Sequence, residues 1–217
     1  MTAAKPLQID VISDVMCPWC FIGKRRLEKA AAQSSMPLEV RWKPFQLDPT
    51  LPPEGKDRRR YLEEKFGSEE RIAQLYGNLA EVGKGEGIPF AFERIAVSPN
   101  TLDAHRLIRW AGEAGKQDQV VEALFRAYFL EGRNIGDHAV LSDIAASAGM
   151  DKNRIASRLE SDEDRDVVQN EIAAAQDMGV TGVPTFILVG RYALVGAQPP
   201  EELAHAFDMV AEKLSAA

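Results

Sequence analysis

The chain's only two cysteines stand three residues apart in "DVMCPWCFIG" (14–23). Two thiols at that spacing can exchange disulfides, supply half of a metal site, or fill a core. Cys17 falls where a strand pattern gives way to a helix pattern. The first N–H groups of a helix have no partner, and its dipole places about half a positive charge there, which favours a thiolate at Cys17 over the thiol. Cys20, one turn inside, points the same way and can close a small ring with Cys17. So short a loop removes little chain entropy, so a structural staple is a poor reading. Structural zinc needs four N or S ligands. The remaining candidates, His105, His138 and His205, are dispersed without paired spacing, so no metal is expected. A buried core pair would suit the burial preference of cysteine, but Pro18 and Trp19 between the thiols are turn and contact residues rather than filler. Redox chemistry is the reading that remains, as it is for CxxC beside a β-α-β pattern in an intracellular protein.

The elements around the pair must position it. "LQIDVIS" (7–13) reads as a strand, and from Pro18 onward Cys20, Leu27, Ala30 and Ala31 recur at helical spacing. Proline suits the first turn because its missing N–H would have no partner there. Lys24, Arg25, Arg26 and Lys29 read as a polar flank, with Lys24 and Arg25 taken as a solvated face in preference to groups that favour a thiolate at Cys17. "LEVRWKPF" (38–45) alternates as a half-buried strand does. "QLDPTLPPEGKD" (46–57), with three prolines and a glycine, breaks the pattern. Beyond it come helical segments with almost no strand signal: "RRRYLEEKFG", "EERIAQLYGNLAEVG", "SPNTLDAHRLIRWAGEAG" capped at Ser98, "DQVVEALFRAYFLEG", "DHAVLSDIAASAG", and 161–179 capped at Ser161 and stopped at Gly179. Strands return with "PTFILV" (184–189) and "RYALVG" (191–196) around a turn at Gly190. A last helix follows, with Leu203, Phe207, Val210 and Leu214 on one face. The order predicts one α/β sheet domain, residues 1–52 and 180–217, interrupted by an all-helical insertion over 53–179.

The second chemical signal lies in "MGVTGVPTFILV". Proline cannot donate to a sheet ladder, so Pro184 at the start of a buried strand calls for an explanation. A cis Val183–Pro184 bond would provide one and would leave the backbone of Val183 open to an extended partner. A trans proline simply opening a strand is the alternative, which the pairing with CxxC disfavours.

Composition excludes some partners. The chain carries 45% apolar and 27% charged residues with a net charge of −7, whereas nucleic-acid binding needs a basic surface. No stretch approaches the roughly 20 apolar residues of a membrane span, and no basic segment followed by an apolar run precedes Asp10. The expected compartment is the cytoplasm. The apolar stripes of the helical segment serve its own core and assign no oligomeric state.

Strand, CxxC at a helix start, helical insertion, then Val-Pro before a hairpin and helix resemble the thioredoxin fold with the inserted helical domain of the DsbA family. "SDVMCPWCFIGKRRLE", "SPNTLDAHRL", "GVTGVPTFI" and "VGAQPPEEL" resemble its FrnE-like, cytosolic branch. The resemblance implies thiol–disulfide exchange on protein or small-molecule disulfides and dithiols. In it Cys17 is the exposed nucleophile, Cys20 the buried resolving thiol, and Val183–Pro184 the facing cis-proline loop. Pro18 and Trp19 tune the pair, with Trp19 a surface contact for substrate, and Asn100 and His105 belong to a motif that in relatives lines the groove. Read locally, Asn100 is a first-turn residue, His105 a surface histidine, and Asp14 a turn cap in preference to a proton relay. No bound cofactor is expected, with glutathione a candidate co-substrate. The same architecture resembles glutathione-dependent kappa-class transferases and 2-hydroxychromene-2-carboxylate isomerases. These commonly carry serine in place of the first cysteine, whereas both thiols are present here. A non-catalytic redox-sensing module would use the same pair as a switch.

Overall fold

Leu7, Ile9 and Val11 are buried alternately along the first strand, and from Val11 to Ser13 every residue is buried. Such a change from one-sided to two-sided burial marks a strand entering the middle of a sheet. In the computed structural model, which describes residues 6–215, β1 (Leu7–Ser13) is central in a sheet of order β2-β1-β5-β6. It runs parallel to β2 (Leu38–Pro44) and antiparallel to β5 (Thr185–Leu188), which pairs antiparallel with β6 (Tyr192–Val195). The parallel pair is joined through α1 (Pro18–Gln33), as a parallel connection requires. The last helix, α9 (Pro200–Ser215), packs on α1. The ends of the expected sheet domain, 1–5 and 216–217, lie outside the described residues.

Between β2 and β5 the chain carries β3 (Lys56–Asp57), α2 (Arg58–Phe66), α3 (Glu69–Gly85), a single 3₁₀ turn (Phe92–Arg94) and β4 (Val97–Ser98). There follow α4 (Leu102–Glu113), α5 (Gln117–Phe129), α6 (His138–Ser147), α7 (Lys152–Leu159) and α8 (Arg165–Asp177). Helices α2 to α7 share one core with the sheet, while α8 packs through two smaller clusters, Ala175 against Ile12 and Phe45, and Val168 and Ile172 against Leu102. Phe21 of α1 stacks on Phe125 of α5 at 5.0 Å, and Phe90, Phe92 and Phe129 continue the aromatic cluster toward Tyr76 of α3. No helix among the described residues is long and apolar enough to cross a membrane.

The mixed α/β architecture follows the sequence pattern, but several local expectations fail for physical reasons. Ser98 does not cap a helix. It pairs with Lys56 in a two-residue ladder, its Oγ accepts from Arg58, and α4 starts later at Leu102. Ser161 does not begin α8 either. Its hydroxyl donates to the Arg158 carbonyl at 2.8 Å and so closes α7, a helix the pattern did not suggest. Asp164 takes up the left-handed position ahead of α8, at φ 60°, with its carboxylate held by Trp110 Nε1 at 2.8 Å. Of the basic run on α1 only Lys29 is exposed: Lys24 is 2% exposed among Glu28, Asp118 and Glu122, Arg25 pairs with Glu122, and Arg26 and Lys29 pair with Glu86. Leu214, expected on the buried face of α9, is half exposed, whereas Leu203, Phe207 and Val210 on that face are buried.

Candidate active site

Because β1 ends buried on both faces, it delivers Ser13, Asp14, Val15 and Met16 into the interior before the helix begins. A tight turn follows, with the Cys17 N–H donating to the Asp14 carbonyl at 2.9 Å and the Cys20 N–H to the Cys17 carbonyl at 3.1 Å. Cys17 is the N-cap residue, in extended conformation (φ −92°, ψ 117°), with Pro18 opening the helix. The Cys17 side chain makes no cap bond. It donates instead, at 3.8 Å, to the carbonyl of Val183.

The facing loop is built to meet it. The Val183–Pro184 bond is cis. The Pro184 carbonyl accepts from Gly196 N at 2.7 Å and Thr185 Oγ1 donates to Gly182 at 2.8 Å, which ties the loop to the hairpin. Among the described residues the Val183 N–H has no acceptor. Gly23, two turns into α1, lets the helix approach: a Cβ there would lie 2.7 Å from Pro184 Cγ.

Cys17 and Cys20 are not bonded to each other, and Cys20 is fully buried beside Cys17. Burial pushes the Cys20 thiol well above its usual range and the adjacent Cys17 pushes the same way, while the Ser13 side chain and the Asp14 backbone pull back. Cys17 is not the surface residue expected. It is 5% exposed, because α2, α3 and the Val183 loop roof the start of α1. What remains is a cavity of about 350 Å³ that Cys17 shares with Met16, Trp19, Leu62, Leu79 and Val183. Trp19 is 42% exposed at its edge, in keeping with a surface position.

Asp14 is fully buried and serves the turn: Oδ1 accepts from Met16 N at 3.3 Å and Oδ2 from Leu47 N at 2.8 Å. His105, expected at the surface, is buried, with Nε2 2.8 Å from the Phe45 carbonyl and 3.6 Å from Asp14 Oδ1. Asn100 does not line the cavity. Its amide accepts from Gln46 and Leu102 N and donates to the Leu51 carbonyl, so it clasps the 46–51 loop to the start of α4. Lys24 and Arg25 face α5 rather than the thiols. Sequence reasoning missed the far wall, where Arg58, Tyr61 and Lys65 of α2 and Tyr76 of α3 complete the cavity. The only local hint was a basic run, which does not say which of its members turns inward.

Comparison with known proteins places these features in a recognisable setting. A model of the DSBA-like thioredoxin domain matches residues 8–208. The protein YwbO of Bacillus subtilis is 29% identical over 196 residues, covering 88% of this chain and 90% of that protein. A probable DsbA oxidoreductase from Streptomyces coelicolor superposes with a TM-score of 0.85 at 31% identity, over 92% of this chain and 88% of that one. The cytosolic disulfide reductase DsbM from Pseudomonas aeruginosa, solved with GSH, shares the fold with a TM-score of 0.67 at 19% identity, over 95% of this chain and 100% of that one.

Proposed function

Because the chain belongs to the DSBA-like thioredoxin domain family, whose activity is disulfide oxidoreduction or isomerisation in general, we propose that it is a thiol–disulfide oxidoreductase working through Cys17 and Cys20. The observation that carries the reading is the position of Cys17 Sγ, on the wall of a cavity and against the carbonyl of a cis-proline loop whose neighbouring N–H is free.

In the reductive direction the Cys17 thiolate attacks one sulfur of a substrate disulfide. That S–S bond breaks, the first substrate sulfur leaves as a thiolate, and a mixed disulfide with Cys17 forms. Cys20 then attacks Cys17 Sγ, gives its proton to the departing sulfur and closes the Cys17–Cys20 disulfide. Two electrons have passed to the substrate, and a thiol reductant must return them. The reverse sequence oxidises a dithiol. The high proton affinity of Cys20 suits a resolving thiol, which stays protonated until the mixed disulfide brings an electrophilic sulfur beside it. An extended substrate would align along Val183 through its free N–H.

Glutathione is the reductant or small co-substrate we favour. The DsbM neighbour, a cytosolic disulfide reductase solved with GSH, supports both that choice and a cytoplasmic setting. A glutathione-dependent transferase or isomerase would have no use for a buried second thiol. The test is disulfide reduction and scrambled-substrate refolding by wild type, Cys17→Ser and Cys20→Ser. We expect Cys17→Ser to be inactive and Cys20→Ser to accumulate the mixed disulfide. A wild type no faster than Cys17→Ser in every assay refutes the reading, and isomerase or transferase turnover that survives Cys20→Ser would replace it.

A further inference from the structure

Three cationic side chains are buried among the described residues: Lys24, Arg58 and Arg106. A buried charge is costly unless it is paired, and the fold pairs two of them. Lys24 lies among three carboxylates. Arg106 meets Asp103 Oδ1 at 2.8 Å and donates to the carbonyls of Arg158, Ser161 and Glu163. Arg58 has no such partner. It is 8% exposed, its Nε donates to Tyr76 Oη at 3.1 Å, and its Nη1 donates to Ser98 Oγ at 3.2 Å and Tyr128 Oη at 3.3 Å. All three acceptors are hydroxyls, and burial raises both phenols, so neither tyrosine supplies a negative charge. Among the described residues no carboxylate lies within ion-pair distance of Arg58. Its Nη2 donates to nothing and is not sealed in the interior.

The cavity wall points the same way. Arg58 and Lys65 are its charged residues, and no acidic side chain lines it, in a chain with 33 acidic and 26 basic residues. The Lys65 ammonium rests on Tyr61 Oη at 2.8 Å. Acidic residues do border a second recess that Arg58 also touches, but Asp57 caps α2 by accepting from Arg60 N at 2.9 Å, Arg59 engages Glu63 and Glu69, and Glu93 lies beside Arg94. The guanidinium is therefore held in place by neutral groups, in a cavity shared with Cys17, without an anion from the protein.

We propose that Arg58 binds a carboxylate of the small molecule whose sulfur meets Cys17, so that the site selects small anionic disulfides and thiols over neutral and cationic ones. The exchange step rests on the thiol–disulfide reading above; the recognition of the anion does not. A guanidinium offers a planar fork of donors to a carboxylate, and the apolar wall of Leu62, Ile72 and Leu79 limits competition from water. A buried cation on the wall of a cavity of about 350 Å³ suits a free small ligand, which can enter whole, better than the exposed acidic side chain of a protein substrate.

The experiment compares alkylation of reduced Cys17 by iodoacetate, which is anionic, and iodoacetamide, which is neutral, followed by mass spectrometry. Wild type, Arg58→Gln, Arg58→Lys and Lys65→Gln are compared. A change in thiol reactivity or folding moves both rates by one factor, whereas loss of an anion site moves their ratio. Arg58→Gln is expected to lower the iodoacetate-to-iodoacetamide ratio by about 10-fold or more, the size of a lost charge-assisted hydrogen bond. Arg58→Lys should fall between. In wild type alone, adipate, a dicarboxylate without sulfur, should protect Cys17 from iodoacetamide, which keeps the test decisive if Arg58→Gln does not fold. The kcat/KM ratio for dithiodipropionate against 2-hydroxyethyl disulfide and cystamine should drop in parallel. Equal effects on both alkylating reagents, or no protection by adipate, would overturn the proposal. Charge discrimination in alkylation by a wild type that turns over no disulfide would uphold the carboxylate site and refute the exchange reading instead.

Discussion

Replacing Gly23 by alanine sets two effects of known size against each other. In the interior of a helix the exchange gains about 1 kcal/mol, because glycine is the more flexible residue in the unfolded chain. Here the new Cβ would lie 2.7 Å from Pro184 Cγ and 3.4 Å from Phe186 Cζ. Carbon atoms rest about 3.5–4.0 Å apart, so the overlap with the proline ring is close to ~1 Å. The ring is not a loose side-chain end, since its own carbonyl is held by Gly196 and the preceding carbonyl accepts from Cys17. Overpacking of this kind costs about 1–3 kcal/mol, which outweighs the helix gain and leaves a net loss of up to about 2 kcal/mol. The control is Gly77 in α3, where an added Cβ meets nothing within 4 Å, and where alanine should stabilise by about 0.5–1 kcal/mol. Urea denaturation of the two reduced variants should therefore separate them by about 2 kcal/mol. Relief of the clash must move α1 or the Val183–Pro184 loop, so the proposed exchange should fall by more than the stability loss accounts for, on the order of 10²-fold for a ~1 Å displacement. Gly23→Ala as stable and as active as Gly77→Ala would refute the close approach of helix and loop.

Asp14→Ala should destabilise by about 1–3 kcal/mol in denaturant titrations, because it strands the buried N–H of Met16 and removes the acceptor of the part-buried Leu47 N–H. The reduced protein should lose stability as pH rises past the ordinary thiol value of about 8.5, since the unfolded chain then releases a proton that buried Cys20 retains. That contribution is fully present below this pH, and Cys20→Ala should flatten the slope. Lys24→Ala should cost about 1–3 kcal/mol, less than a wholly buried pair because its carboxylate partners reach solvent, and the loss should shrink in high salt.

What could be read from the sequence was what depends on near neighbours. The strand at 7–13 and the helix from Pro18 follow from alternation, helical spacing and one well-placed proline, and both stand where expected. The cis bond at Val183–Pro184 was also legible, because a proline at a strand start needs a reason and the CxxC motif suggested one. Features set by distant chain were not. Ser98 looks like a cap until Lys56 pairs with it, and Asn100 looks like a groove residue until the 46–51 loop claims its amide. In "RRRY" three arginines are equivalent on paper. Only packing against Tyr76, Ser98 and Tyr128 turns Arg58 inward while Arg59 and Arg60 remain exposed. The burial of Cys17 has the same origin: its own segment predicts an open helix start, and the roof comes from α2 and α3.

That division by chain distance is also a division of labour under the proposed function. The groups that make and break sulfur bonds lie in 14–23 and at Val183–Pro184, held by turn hydrogen bonds and by the contact between Gly23 and Pro184. The groups that decide what reaches them lie in α2 and α3. Helix α1 couples the two sets, since Phe21 stacks on α5 and Arg26 and Lys29 grip Glu86 just beyond α3, while the start of the same helix carries Cys17. The roof is thus anchored to the element it covers and cannot drift without disturbing α1. Its lining can nevertheless change without touching either thiol, so selectivity can be altered at positions such as Arg58, Leu62 and Leu79 while the chemistry of the pair stays in place.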